Sequence, residues 1–415
     1  MPIAERVDAP LSSADAAERA NRRNALLAGF LGWTLDAFDF FILVMVLDAV
    51  AKDFGRTRPE IALTLTASLA MRPLGAVLFG IMADRWGRRL PLMLDLVFYS
   101  VIEVLSGLAP NYTAFFILRL LFGIGMGGEW GVGASLAMES VPAKWRGVLS
   151  GVLQEGYALG YLLAAVAYFA VFPYFGWRVM FFLGGLPALL SLFVRARVKE
   201  SRAWEEHRLA DWSSYARAVA ANWRRFIYLV LLMTAMAMIS HGTQDMYPTF
   251  LQHQREFTPQ QTAIITMISM VGAIIGGIAF GLLSDRIGRR RSMIAATLSG
   301  VAVVPLWVFA PNTALIVVGA FALQFMVQGA WGVIPAHINE LSPGAVRGFL
   351  PGTAYQVGVL CASIITYIEA VLGELFTYAV AMGILAALVL LAAAMMVALG
   401  PEARGVSFRK DVDSA

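Results

Sequence analysis

The chain has 415 residues, 59% hydrophobic and 14% charged, with a formal net charge of +4. A soluble domain carries about 25% charged residues, so this composition excludes an ordinary water-soluble enzyme. One cysteine, Cys361, excludes a disulfide framework.

The charges cluster, and between the clusters run apolar stretches long enough to cross a bilayer as helices. Twelve are read, at about 25–51, 60–83, 90–109, 113–139, 148–172, 177–195, 226–251, 261–284, 292–310, 313–338, 348–370 and 374–399. In lipid each must satisfy its own backbone hydrogen bonds, which helices do. Barrel strands alternate apolar and polar residues, and "ALVLLAAAMMVAL" does not alternate. The expected fold is therefore an all-α membrane protein. The first 24 residues are polar and read as a tail rather than a cleaved signal.

In chain order, the first segment carries Asp36 and Asp39. Two neighbouring carboxylates do not readily ionise together without a cation, so one is a proton candidate. The second segment holds Arg72 near its middle, a planar fork suited to a carboxylate. Glu103 in the third segment and Arg119 in the fourth lie at similar depth and read as an ion pair, with Arg119 the rival anion site. "GIGMGG" in the fourth segment reads as close packing by small residues. Glu155 in the fifth is a further titratable group.

The seventh segment contains "ISHGTQDMYP". At 100° per residue, His241, Gln244, Asp245 and Pro248 share one narrow stripe. Ionisable residues inside a membrane are costly and mark function. His241 beside Asp245 reads as a proton site, an imidazole that can titrate near neutral pH; the plainer reading is that the two satisfy each other. Pro248 frees a carbonyl one turn back, near Gln244. Gln324 and Gln328 in the tenth segment line a cavity or bond between helices, and Tyr355 and Gln356 in the eleventh are substrate contacts. His207, His253 and His337 are scattered without metal-ligand spacing, and no phosphate-binding glycine loop or Ser–His–Asp set is present. No metal, cofactor, catalytic residue or nucleic-acid partner is expected; the partners are a small organic anion, protons and the bilayer, and the chain is expected to be monomeric.

The chain is written twice. "GIMADRWGRR" begins at Gly80 and "GLLSDRIGRR" at Gly281, an offset of 201. The same offset relates "APN" at 109 and 310, "EWGV" to "AWGV", and "ESVPAKWRG" to "ELSPGAVRG". Two six-helix halves, 25–195 and 226–399, are joined by a charged loop at 196–225 and flanked by tails 1–24 and 400–415. Parallel repeats of this kind build transporters with a site near mid-membrane. Of the 32 Lys and Arg, 25 fall on the side of the termini and five on the other, with Arg72 and Arg119 inside helices. Basic loops stay cytoplasmic, so both termini are expected in the cytoplasm of a cell whose inner membrane holds the protein.

The doubled "GxxxDRxGRR" loops resemble the signature of the major facilitator superfamily. Within it, "WTLDAFDFF", "MRPLGA", "GIGMGGEWG" and "QEGYALGYLLA" resemble the sialate and monocarboxylate proton symporters. The seventh segment is similar to the motif of lactate and pyruvate permeases, which Ser240, His241, Thr243, Gln244, Asp245 and Thr249 match. Ala237 stands where that family has Asn, and Glu155 where it has Gln. The resemblance implies proton-coupled symport of a small monocarboxylate by alternating access, with a larger organic acid as the alternative and a membrane sensor as the rival class. Arg72 would bind the carboxylate with His241, Gln244, Gln328, Tyr355 and Gln356; Asp36, Asp39, Asp245 and Glu155 would handle the proton. The loop charges Asp84, Arg85, Arg88, Arg89, Glu139 and Arg146, repeated as Asp285, Arg286, Arg289, Arg290, Glu340 and Arg347, are expected to bridge an inner gate.

Overall fold

The computed structural model describes residues 13–209 and 211–408. The first twelve residues and the last seven, which include parts of both expected tails, lie outside the described residues. Described residues form helices and no strand. Spanning helices are α1 (Ser13–Asp53), α2 (Arg58–Trp86), α3 (Arg89–Gly107), α4 (Tyr112–Ser140), α5 (Arg146–Gln154 and Gly156–Ala170) and α6 (Phe172–Leu183 and Pro187–Arg197). The second half has α7 (Trp223–Gln244 and Tyr247–His253), α8 (Pro259–Ile287), α9 (Arg289–Phe309), α10 (Thr313–Leu341), α11 (Leu350–Ala362 and Ile364–Leu375) and α12 (Tyr378–Leu399). Among the described residues eleven spans are long and apolar enough to cross a membrane; α11, broken at Ser363, makes the twelfth only as two pieces.

Local chemistry repeats with the sequence. Thr57 and Glu60 form a capping box at the start of α2, and Thr258 and Gln261 form the same box on α8. Asn111 caps α4 as Asn312 caps α10. The turns after α2 and α8 pass through Gly87 (φ 98°) and Gly288 (φ 104°), a backbone region that glycine enters without a Cβ penalty.

Within each half the same pairs pack: α2 on α4, α8 on α10, α1 on α5 and α7 on α11. The halves meet where the first piece of α5 lies on α8 and α10, and α11 lies on α2 and α4. Leu74, Leu162, Phe169, Leu189 and Leu388 are more than half exposed, an apolar outer belt that belongs in lipid rather than water.

Helix 7 stops at Gln244 and resumes at Tyr247. This is the break that Pro248 imposes by lacking an N–H and clashing one turn back. It falls at Asp245, on the polar stripe.

Candidate functional site

The basic face of the molecule is closed by two repeat-related clusters. Asp84 accepts the backbone N–H groups of Gly348 (2.6 Å) and Phe349 (3.0 Å), at the start of α11 in the other half. Asp285 accepts those of Gly147 (2.8 Å) and Val148 (2.9 Å) at the start of α5. Each carboxylate thus caps a helix of the opposite half, where free N–H groups and the helix dipole favour an anion. Arg88 holds Asp84 at 2.7 Å and Glu139 at 3.0 Å; Arg289 holds Asp285 at 2.7 Å and Glu340 at 2.9 Å. Arg146 reaches Glu340 at 2.8 Å and Arg347 reaches Glu139 at 3.4 Å, both across the halves.

The other four basic residues expected at this face do something else. Arg85 donates to Leu209 O and lies over the Trp212 ring. Arg89 donates to Arg195 O, and Arg290 to Val397 O and Ala398 O. Arg286 offers its carbonyl to Arg404. Arg85 and Arg286 thus hold the central loop and the segment after α12, while Arg89 and Arg290 hold the ends of α6 and α12; none of these contacts is an ion pair between the halves. The central loop is itself part of the seal: Trp204 Nε1 donates to Asp84 O and the Tyr215 hydroxyl to Asp84 Oδ2.

Two carboxylates on this face are missed by the sequence reading. Glu200 accepts the N–H groups of Arg88 and Arg89, and Glu402 those of Arg289 and Arg290. Burial pushes the Glu402 carboxyl up, but the backbone N–H groups of Arg290, Arg404 and Arg289 outweigh it and hold the group below its ordinary value. They are 202 residues apart, one more than the repeat offset, which hides the correspondence.

Inside the first half, Arg72 Nη2 stands 3.9 Å from Asp36 Oδ2. Both groups are buried, and neither Asp36 oxygen has a hydrogen-bond partner. Tyr157 on α5 lies within electrostatic reach of Tyr355, Arg72, Asp245 and Asp36, so residues of both halves come near one another here. Trp130 and Trp331 are repeat mates and flank Tyr355 at 4.4 Å and 5.8 Å between ring centroids; Trp33 stacks on Tyr157 at 5.5 Å. They form an aromatic floor that the sequence reading passes over.

Arg119 is committed elsewhere. It bonds Glu103 at 2.5 Å and Ser106, and is wrapped by Phe115, Phe122 and Phe181. Asp39 is buried beside this pair, within electrostatic reach of both. Further buried carboxylates lie in the first half: Asp95 on α3 and Glu129 on α4, with no hydrogen-bond partner for any of their four oxygens. Glu129 stands in the quoted "GIGMGGEWG", so its signal was visible as a charge in a glycine run. At the repeat offset, Asp36, Asp39, Arg72, Asp95, Glu103, Arg119 and Glu129 correspond to Ala237, Ser240, Ala273, Ala296, Val304, Ala320 and Ala330. At these seven positions the charge belongs to the first half alone.

In the other half, His241 Nδ1 meets Asp245 Oδ2 at 3.1 Å, and both side chains are more than a third exposed. Glu369 on α11, buried and within electrostatic reach of Asp245, is also missed by the sequence reading. Gln244 is bonded to Gln324 at 2.9 Å, and Gln324 also donates to Thr243. That pair joins α7 to α10. The Gln356 amide is buried with no hydrogen-bond partner, and Gln328 is half-buried on α10.

Twelve helices in two repeated halves, with charged residues held inside the bundle and a sealed face, define a multi-pass membrane transporter rather than an enzyme. The chain belongs to the Major Facilitator Superfamily: that family's model matches residues 29–258, and the model described as "Sugar (and other) transporter" matches 225–403. It is 29% identical to the carboxylic acid transporter protein homolog of Saccharomyces cerevisiae over 85% of this chain, spanning 61% of that protein's length. It is 30% identical to the probable 4-methylmuconolactone transporter of Cupriavidus pinatubonensis, covering 93% of this chain and 92% of that one. Sialic acid transporter NanX of Escherichia coli is 30% identical over 81% of this chain and 84% of its own. Among solved structures, the proton:xylose symporter XylE has the same fold, with a TM-score of 0.77 at 18% identity, covering 94% of this chain and 98% of that one.

Proposed function

We propose that the protein is a proton-coupled symporter of an organic acid anion working by alternating access. The observation that carries this reading is the loose Arg72–Asp36 pair, a buried guanidinium whose only ion-pair partner among the described residues stands at 3.9 Å. A substrate carboxylate can take both prongs of that fork. Asp36, left buried without its cation, then binds a proton, because an unpaired buried charge is costly. Anion and proton bind together, and leave together when the site turns to the other side. Asp39 and the His241–Asp245 pair extend the proton-binding set, and Tyr355, Gln356, Gln244 and Gln328 complete the substrate contacts.

On this reading the sealed basic face is cytoplasmic, the membrane is the cell's inner membrane, and a single chain suffices. The halves at 25–195 and 226–399 are the rocking units, and Asp84, Asp285 and their arginines are the inner gate. A small monocarboxylate such as lactate or pyruvate is the first substrate class, supported by the α7 motif. A larger acid is the second, supported by the aromatic floor of Trp33, Trp130, Tyr157, Tyr355 and Trp331, and by relatives named for sialic acid and 4-methylmuconolactone.

The deciding experiment is uptake into proteoliposomes under an imposed pH gradient, with unlabelled acids competing against labelled lactate. Accumulation driven by the gradient is expected, and the competition order assigns the acid. Uptake that ignores the gradient would remove proton coupling.

A further inference from the structure

Helix 5 is interrupted at Glu155, which belongs to neither of its pieces. The piece before it, Arg146–Gln154, packs mostly on α8 and α10 of the opposite half and less on α1 and α4 of its own; the piece after it, Gly156–Ala170, packs on α1 of its own half. Glu155 is therefore the joint between a segment clamped to one half and a segment that travels with the other. Its carboxyl crosses that boundary. A β-carbon on Gly277 of α8 would lie 2.1 Å from Glu155 Oε1, so the absence of a side chain on Gly277 makes the seat for this oxygen. Oε1 is buried there without a hydrogen-bond partner. Toward the basic face the same helices touch through glycines: a β-carbon on Gly151 would lie 2.4 Å from Gly277 O, and one on Gly147 2.4 Å from Gly281 O. Beyond them is the Asp285 cap on α5.

The repeat-related seam differs at one point. Gln356 stands on α11 where Glu155 stands on α5, and Ala76 on α2 where Gly277 stands on α8. The ionisable group and its glycine seat occur on one seam only.

We propose that Glu155 is a proton-gated latch: the α5–α8 seam closes over the neutral acid and opens when the carboxylate ionises. The inference rests on the alternating-access reading above. Other ionisable groups stand on each element packed at the joint; on α4 it is Glu129, whose carboxyl lies against Gly32 of α1. From α8 Glu155 meets Gly277, with Asp285 eight residues, about 12 Å, further along, and that group is held by Arg289. On α10 the Gln328 carbonyl also lies against the Gly277 seat, with His337 nine residues and Glu340 twelve residues beyond, about 14 and 18 Å. From α5 itself the nearest charge in sequence is Arg146, about 14 Å away and paired with Glu340. From α1, Thr34 and Trp33 pack at the joint, and Asp36 on that helix pairs with Arg72.

The sign follows from where water comes. Opening the seam hydrates Glu155 from the basic face, so its proton leaves to and returns from that side alone. Glu155 carries no proton across the membrane. It sets the balance between closed and open seam according to pH on the basic face, with acid favouring closure.

The test places spin labels at exposed Lys144 and Arg291, one on each half at the basic face, in a Cys361→Ser background, and reads their separation in lipid nanodiscs from pH 5.5 to 8.5 without substrate. In the parent the closed:open ratio is expected to fall with rising pH, by up to about tenfold per unit for one linked proton. Glu155→Gln, the amide already used at the repeat position, should stay closed with no pH slope. Gly277→Ala pushes the flexible carboxyl off its seat and should lower the closed fraction at pH 5.5. A parent without a pH slope, a Glu155→Gln protein with the parent's slope, or unchanged closure in Gly277→Ala would each overturn the latch. These distances need no transported acid, so a failure of gradient-driven uptake would show separately.

Discussion

Arg72 faces Asp36 at 3.9 Å, a buried pair too long for a hydrogen bond. A tight pair would resist substrate; this one leaves the guanidinium's fork available. Arg72→Ala is expected to abolish uptake while the protein remains in the membrane, and Arg72→Lys to restore only part, because lysine keeps the charge and loses the planar fork. Initial uptake rates with surface-normalised protein levels check this. Near-normal uptake by Arg72→Ala would move the anion site away from Arg72.

Much of this arrangement was legible in the sequence, and the reasons are physical. Twelve spans follow from helix length and lipid thickness, and the repeat from identical offsets. Asp36, Arg72 and the Glu103–Arg119 pair could be placed because a charge in an apolar helix is rare enough to be noticed. What escaped is contact between halves. Nothing in the spelling of Glu155 announces that it seats on Gly277, 122 residues away. Glu200 and Glu402 act as backbone caps, a role that depends on where the chain returns after each half rather than on any local pattern. Breaks in α5 and α11 carry weaker local signals than Pro248 gives in α7; the α6 break, at Gly184 and Gly185 just before Pro187, had a local signal that went unread.

The gate clusters are expected to act on turnover rather than on binding. Asp84 accepts two backbone N–H groups and an Arg88 bond at one carboxylate. Asparagine retains one acceptor oxygen, so Asp84→Asn leaves at least one buried donor unsatisfied, at a cost of about 1–3 kcal/mol to the sealed state. Asp285→Asn should do the same at α5. Substrate affinity measured at equilibrium should change less than threefold while transport falls at least tenfold. A large affinity loss with normal turnover would assign these residues to the site instead.

Arg119 and Glu103 are expected to matter for stability first. Their 2.5 Å contact is fully buried and enclosed by three phenylalanine rings. Removing one partner strands a buried charge, which costs about 3–5 kcal/mol, whereas replacing both with apolar residues of similar volume is often tolerated. Thermal unfolding in detergent should therefore show a large loss for Arg119→Ala and substantial recovery in Glu103→Leu/Arg119→Met. Equal losses in the single and double variants would show that the pair does more than support the fold.

Asp245 occupies the break in α7, one turn from His241 and bonded to it at 3.1 Å. A substrate anion entering between the halves brings negative charge toward both. Protonation of either offsets that charge, so proton and anion are expected to bind cooperatively, and linkage makes the effect reciprocal. Asp245→Asn fixes the neutral form at this position. It should lose accumulation against a gradient yet keep exchange of labelled for unlabelled acid, since exchange requires no net release of a proton. His241→Ala should displace the pH profile of uptake while leaving accumulation partly intact, because the imidazole also serves as a hydrogen-bond donor. The two assays, gradient-driven uptake and counterflow exchange, are run side by side on both variants. Should Asp245→Asn concentrate substrate as well as the parent, the coupled proton resides on the α1 side, with Asp36 and Asp39, and the α7 pair serves only to shape the cavity.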